Sequence, residues 1–142
     1  MLNMFANIGL LLNAFLMGVM TSFILVTSPT VFKTLDEEYS KKFLRFIFPR
    51  LFNFCFLIST VMFVFFALAE FFFGMLAGIV IAVGFLINTY LLTPRINKMR
   101  DLMITGPTGS EKKFKMLHSL SVLLYLISMV FLVAIFVLYY SR

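Results

Sequence analysis

A polar stripe runs along the last apolar segment of the chain and contains its only histidine, His118. Steps of three and four residues lead from His118 to Ser121, Tyr125 and Ser128, and residues at that spacing share one face of an α-helix. The rest of the segment is rich in Leu, Val, Ile and Phe. Imidazole both donates and accepts hydrogen bonds, and it titrates near neutral pH. The spacing therefore predicts a helix whose polar side faces neighbouring helices or a bound molecule.

Further polar side chains occur near the ends of the other apolar segments. Arg50 and Asn53 share a face at the start of the second segment, Asn88 lies near the end of the third, and Arg95 follows it. Polar groups in lipid are costly unless they face protein or water, so we expect these groups to meet the histidine stripe. The arginines favour an anionic ligand. The predicted polar pocket comprises His118, Ser121, Tyr125, Arg50, Asn53, Asn88 and Arg95.

The sequence lacks the usual catalytic arrangements. No paired carboxylates occur within the apolar segments, and no Cys/His spacing is typical of a metal site, so we predict no catalytic residues and no metal. We favour a protein that is not an enzyme. One histidine cannot supply a bis-histidine haem site, although a His/Met pair could form because the chain has 10 methionines. We predict no cofactor and keep a haem-binding membrane redox protein, similar to the membrane haem-synthesis oxidases, as the alternative.

The elements that position these residues are predicted to cross a membrane. Apolar residues make up 62% of the chain and charged residues 13%, with a mean hydropathy of +1.05. Crossing a bilayer core of about 30 Å takes about 20 helical residues, and four segments have that length. Their continuity and lack of Asp and Glu favour helices over barrel strands. We predict a single all-α domain, a four-transmembrane-helix bundle with spans at about 4–27, 50–69, 71–92 and 117–140.

An amphipathic helix is predicted between the first two spans. Leu35, Phe43 and Phe46 recur on one helical face, with basic residues elsewhere on the cylinder. Thr34 followed by Glu37 three residues later has the pattern of a capping box. We therefore predict an interfacial helix over about residues 35–48, lying on the inner leaflet.

Prolines are predicted to shape the helix ends. Pro49 should break or kink the chain where it turns into the second span. Thr93 can cap a helix and Pro94 suits its first position, so the third span is expected to end there and a short surface helix to follow. The sequence GMLAG at 74–78 has small residues four apart, which favours close packing within the chain over a dimer contact. The predicted helix-end residues are Pro29, Pro49, Pro94 and Phe114.

The distribution of positive charge predicts the orientation. Eleven of the 12 Lys and Arg residues lie between spans one and two or between spans three and four. The positive-inside rule makes this side cytoplasmic and places both termini outside. The basic side would attract anionic lipid head groups, so the net charge of +6 requires no nucleic-acid partner. We predict a protein of the bacterial inner membrane whose further partners are a second copy or a membrane complex.

Four motifs carry a resemblance to a known family. They are SPTVF at 28–32, IFPRLF at 47–52, TPRINKM at 93–99 and FKMLHSLS at 114–121. The chain resembles the transmembrane protein 205 family, catalogued as domain of unknown function 4149. The resemblance implies four transmembrane helices and names no biochemical activity. Tyr125 stands where the family pattern has an asparagine about two turns after the histidine.

Three classes of function remain open from the sequence. The first is a binding or permeation module with a cytoplasm-facing pocket for an anionic molecule. The second is the haem-binding redox protein. The third is a structural or accessory subunit, in which the polar cluster only ties helix ends together.

Overall fold

Four long helices form the protein. The structure is a computed structural model that describes residues 1–105 and 110–141. Within those residues, α1 (Leu2–Thr34), α2 (Glu37–Leu68), α3 (Phe72–Met103) and α4 (Ser110–Tyr140) are each long and apolar enough to cross a membrane. The helical backbone of α3 continues to Thr105. The predicted all-α four-helix membrane protein is confirmed.

The helices are longer than a membrane requires. Each has 31 to 33 residues, or roughly 48 Å at 1.5 Å per residue, against about 30 Å of hydrocarbon. The chain runs up and down, so the last turns of α1 and α3 lie at the same end as the first turns of α2 and α4. Eleven of the 12 Lys and Arg residues belong to that end, which we call the basic end. The bundle therefore extends beyond the hydrocarbon with charged turns.

The residues predicted as a separate interfacial helix form the first part of α2. This helix runs unbroken from Glu37 to Leu68 with Pro49 inside it. A proline removes one backbone hydrogen bond, but the helix is packed on both sides of Pro49, since Leu44 before it and Phe52 after it are buried. Toward the basic end, before Pro49, Arg45 also pairs with Asp101 of α3. Of the two predicted effects of Pro49, a break or a kink, the break is therefore wrong.

The predicted capping box is also wrong. Asp36 precedes the first residue of α2, and Thr34 belongs to the last turn of α1. The hydroxyl of Thr34 donates to the carbonyl of Thr30 at 2.7 Å. The N-cap position of α2 is Asp36, two residues after Thr34, so Thr34 does not cap this helix.

The helix that contains the predicted third span continues past Thr93, so the separate surface helix that the sequence suggested does not form. Between Ile87 and Leu92 the backbone takes a π-helical turn, and the helix then continues through Pro94. A proline has no N–H and crowds the carbonyl four residues before it, and the wider π turn relieves both problems. The hydroxyl of Thr93 donates to the carbonyl of Asn88 at 2.7 Å. Thr93 therefore supports a continuous helix and caps no new one.

α1 also contains a π turn followed by a proline. A π-helical turn over Phe23–Thr27 is followed by Pro29, which occupies the first turn of the α-helical segment Ser28–Thr34. A π turn displaces the axis of the helix that contains it. The axis at the basic end of α1, and likewise of α3, is therefore offset from the axis of the rest of that helix.

Small residues bring α2 and α3 into close contact. A Cβ atom placed on Gly78 would lie 3.0 Å from the Cβ of Phe63, and one on Gly74 would lie 2.8 Å from the ring of Phe66. Both phenylalanines belong to α2, so the GMLAG segment packs within the chain. On the other side of the bundle, Asn13 of α1 donates from Nδ2 to the carbonyl of Leu132 in α4 at 3.0 Å.

Candidate functional site

A cavity of about 340 Å³ lies between the four helices at the basic end. Its size is typical of sites that hold small ligands. Each helix contributes side chains, and the π turn of α1 supplies part of one wall. The described lining residues are Phe23, Ile24, Ser28, Phe32, Leu44, Phe48, Phe52, Thr93, Ile96, Asn97, Arg100, Phe114, His118, Ser121, Val122, Tyr125 and Leu126.

One end of the cavity is polar and carries positive charge. Arg100 is half-buried, and its guanidinium carbon lies 5.1 Å from the centroid of the Phe114 ring. The same ring lies parallel to the imidazole of His118, with centroids 5.8 Å apart. Among the described residues, none that lines the cavity is acidic and no salt bridge involves Arg100. The guanidinium therefore gives this end of the cavity a positive charge, which the neighbouring carboxylate of Asp101 offsets in part although Asp101 does not line the cavity and pairs with Arg45.

Several polar side chains at this end lack protein partners. Within the part of the chain that the structure describes, Ser28, Asn97, His118 and Ser121 have no side-chain hydrogen bond, although Ser121 is only 7% exposed. Of these four only Ser121 is buried, and a buried polar group usually has a hydrogen-bond partner. Ser28 and Asn97 are half-buried, and His118 is exposed. These side chains are therefore available to a molecule in the cavity.

Aromatic rings close the cavity toward the middle of the bundle. The centroids of Phe52, Phe85 and Tyr125 lie 6.0 to 6.3 Å from one another. The hydroxyl of Tyr125 donates to the carbonyl of Met20 at 2.8 Å, joining α4 to α1 just before the π turn begins. These three rings close the cavity toward the middle of the bundle, and we call them its floor.

The structure brings part of the predicted cluster together. His118, Ser121 and Tyr125 line the cavity. Asn88 lies behind them, 1% exposed, and donates from Nδ2 to the carbonyl of Ser121 at 3.3 Å. Among the predicted helix-end residues, Phe114 lines the cavity as well.

The other three predicted residues are not among those lining the cavity. Arg50 is exposed, donates to the carbonyl of Phe46 at 2.9 Å and lies over that residue's ring. Arg95 is exposed and Asn53 is half-buried. The positive charge in the cavity comes from Arg100 in their place.

Sequence reasoning overlooked Arg100 and Asn97 as site residues. A signal for them exists, since Thr93, Asn97 and Arg100 share one face of a helix at spacings of four and three. The interpretation of Thr93 as a helix cap hides this spacing, because it places the residues after Thr93 in a separate surface helix.

The described residues contain no group of three or more His, Cys, Asp or Glu side chains that could hold a metal ion. The site chemistry that remains is one guanidinium, one imidazole, one amide and two hydroxyls around an apolar pocket. Groups of these types can bind an anion through charge and hydrogen bonds.

Four apolar helices with a polar pocket at one end define an integral membrane protein of the helical class. The chain belongs to the family described as domain of unknown function (DUF4149), whose model matches residues 11–105. The matched range includes three of the four motifs, and FKMLHSLS on α4 lies beyond it. Comparison with curated proteins and with solved structures found no match.

Proposed function

We propose that this membrane protein binds an anionic group in the cavity at its basic end. Arg100 supplies the charge, and Asn97, His118 and Ser121 supply hydrogen bonds. The observation that carries the proposal is the half-buried guanidinium of Arg100 in a cavity without a lining carboxylate. A charge-assisted hydrogen bond contributes about 1.5–3 kcal/mol, more than a neutral one.

The floor of the cavity favours binding over permeation. Phe52, Phe85 and Tyr125 fill the space toward the middle of the bundle, and the bond from Tyr125 to Met20 ties two helices across it. A permeating ion would require these rings to separate. A bound molecule requires no such movement.

A structural or accessory role accounts for a different subset of the polar residues. Asn88 and Tyr125 bond to backbone carbonyls of other helices and so tie the helices together. That role accounts for the contact of Arg100 with the ring of Phe114 but not for the N–H groups of Arg100 or the amide of Asn97, since neither side chain makes a hydrogen bond within the described chain. Binding accounts for these two residues.

The haem alternative gains no support from the cavity. His118 lines it, but no methionine is among its described lining residues. A His/Met ligand pair would have to form elsewhere. We carry this alternative as an outcome of the experiment below.

The orientation that we propose follows from charge. The basic end carries eleven of the 12 Lys and Arg residues and would face the cytoplasm of a bacterial inner-membrane protein. Its lysines and arginines would contact anionic head groups of that leaflet. The polar end of the cavity would then lie on the cytoplasmic side.

Thermal unfolding in neutral detergent micelles tests the anion site. Inorganic phosphate and dodecyl phosphate serve as probes. A ligand at 100 times its dissociation constant stabilises a protein by about 2.7 kcal/mol. We expect at least one probe to raise the unfolding temperature of the wild-type protein. Arg100→Gln should weaken that binding at least tenfold.

Arg95→Gln is the matched control, because Arg95 lies on the same helix, is exposed and does not line the cavity. It should bind the probe as the wild-type protein does. Equal behaviour of the two variants, or no stabilisation by any anion, would reject the site and leave the structural role. A Soret band in the purified protein that His118→Gln removes would favour haem instead.

A further inference from the structure

The cavity is open on one side, between α1 and α4. The segment Leu2–Ser22 packs against α4, but no Cα atom of residues 23–34 comes within 8 Å of a Cα atom of α4 in the described structure. The two helices therefore part beyond the bond from Tyr125 to Met20. The π turn Phe23–Thr27 and Pro29 lie where they part.

Apolar side chains line both edges of this opening. Ile24 and Phe32 on α1 are 39% and 64% exposed, and Val122 and Leu126 on α4 are 43% and 47% exposed. All four also line the cavity. An opening with apolar edges would be unfavourable in water, and it suits contact with acyl chains.

The opening between α1 and α4 and the polar end of the cavity lie at different depths in the membrane. The apolar run of α4 begins at Leu117, and about 20 residues from there cover a 30-Å hydrocarbon layer. Val122 and Leu126 are then within the hydrocarbon and His118 is at its boundary. Arg100 and Phe114 lie farther out, at the level of the head groups.

The apolar opening at hydrocarbon depth and the charged end at head-group depth match the acyl chains and the head group of a lipid. We propose that the anion bound by this protein is the head group of a membrane lipid that enters sideways between α1 and α4, with its chains left in the bilayer. The inference rests on the proposed anion site and adds the class of ligand and its route. A cavity of about 340 Å³ holds a head group and the nearest methylene groups, and the opening lets the rest of the chains extend outward.

Native mass spectrometry on protein released from nanodiscs tests the route. The discs contain equal amounts of phosphatidylglycerol and phosphatidylcholine. We expect the wild-type protein to retain the anionic lipid at least tenfold over the neutral one. Val122→Trp and Leu126→Trp place a bulky ring in the opening and should reduce that retention at least tenfold.

Val130→Trp is the control, since Val130 lies on the same helix, is 68% exposed and does not line the cavity. It should retain the lipid like the wild-type protein. The chain has no tryptophan of its own, so blue-shifted emission from each variant shows that the folded helix carries the new ring in lipid. Glycerol 3-phosphate, which has the charge without chains, should bind wild-type protein at least tenfold more weakly.

Two results would overturn the lateral route while leaving the anion site intact. They are undiminished lipid retention in both Val122→Trp and Leu126→Trp, and glycerol 3-phosphate binding as tight as lipid binding. Loss of selectivity in Arg100→Gln supports the anion site, and reduced retention in Val122→Trp and Leu126→Trp supports the route. Unchanged selectivity in Arg100→Gln would reject the anion site itself, and the lipid proposal would fall with it.

Discussion

The hydroxyl of Tyr125 and the amide nitrogen of Asn88 donate to backbone carbonyls of other helices. Tyr125 donates to Met20 at 2.8 Å, and Asn88 donates to Ser121 at 3.3 Å. The carbonyl of Met20 also accepts the N–H of Phe23, the first residue of the π turn. A backbone carbonyl has two lone pairs and can accept both donors, so Tyr125 fixes α1 to α4 where the two helices begin to part.

We predict that Tyr125→Phe lowers the free energy of unfolding by about 0.6–1 kcal/mol, the value of one hydrogen bond between membrane helices. The ring stays and continues to fill the floor of the cavity, so the fold should be kept. Equilibrium unfolding in mixed micelles measures the change. Tyr90→Phe, at a 64% exposed position, is the control and should leave the stability unchanged. Equal stability of the two variants would show that the bond contributes nothing.

At the scale of elements, the sequence identifies the helices well and their ends poorly. Apolar length alone located four spans, since a run of about 20 continuous apolar residues is typical of a helix that crosses a membrane. The prolines led to wrong predictions of helix ends, because a proline considered alone predicts a break in the helix. The π turns before Pro29 and Pro94 let the helices continue, and a π turn depends on tertiary packing that no local pattern records.

The close packing of α2 against α3 gives an element-scale prediction. Gly78→Leu should lower the free energy of unfolding by about 1–3 kcal/mol, because extra volume in a packed contact forces the helices apart. The obstacle is partly backbone, since a Cβ there would lie 3.1 Å from the Cα of Phe63.

Gly18→Leu is the matched control for this substitution. A Cβ on Gly18 would meet nothing within 4 Å, so its effect should stay within about 0.5 kcal/mol. Unfolding in the same mixed micelles compares the two variants. If Gly78→Leu is no less stable than Gly18→Leu, the helices are not in close contact at this point.

At the scale of the whole molecule, the sequence predicted that polar groups gather at the basic end, but not which of them share a cavity. Depth follows from counting residues along each helix, whereas the facing of a side chain depends on how four helices rotate against one another. His118 and Ser121 were placed by the stripe on their own helix. Arg50 and Arg95 have suitable depth but are exposed, and Arg100, beyond the expected end of the span, lines the cavity.

The orientation of the molecule decides which leaflet the cavity serves, and two single substitutions test it. Lys98→Cys places a thiol at the exposed surface of the basic end, and Ser141→Cys places one at the opposite end. In intact bacteria, a membrane-impermeant maleimide should label Ser141→Cys at once and Lys98→Cys only after permeabilisation. The native Cys55 is fully buried, so the wild-type protein gives the unlabelled baseline. The reverse pattern would place the basic end outside, contrary to the positive-inside rule, and the cavity would then open to the outer leaflet.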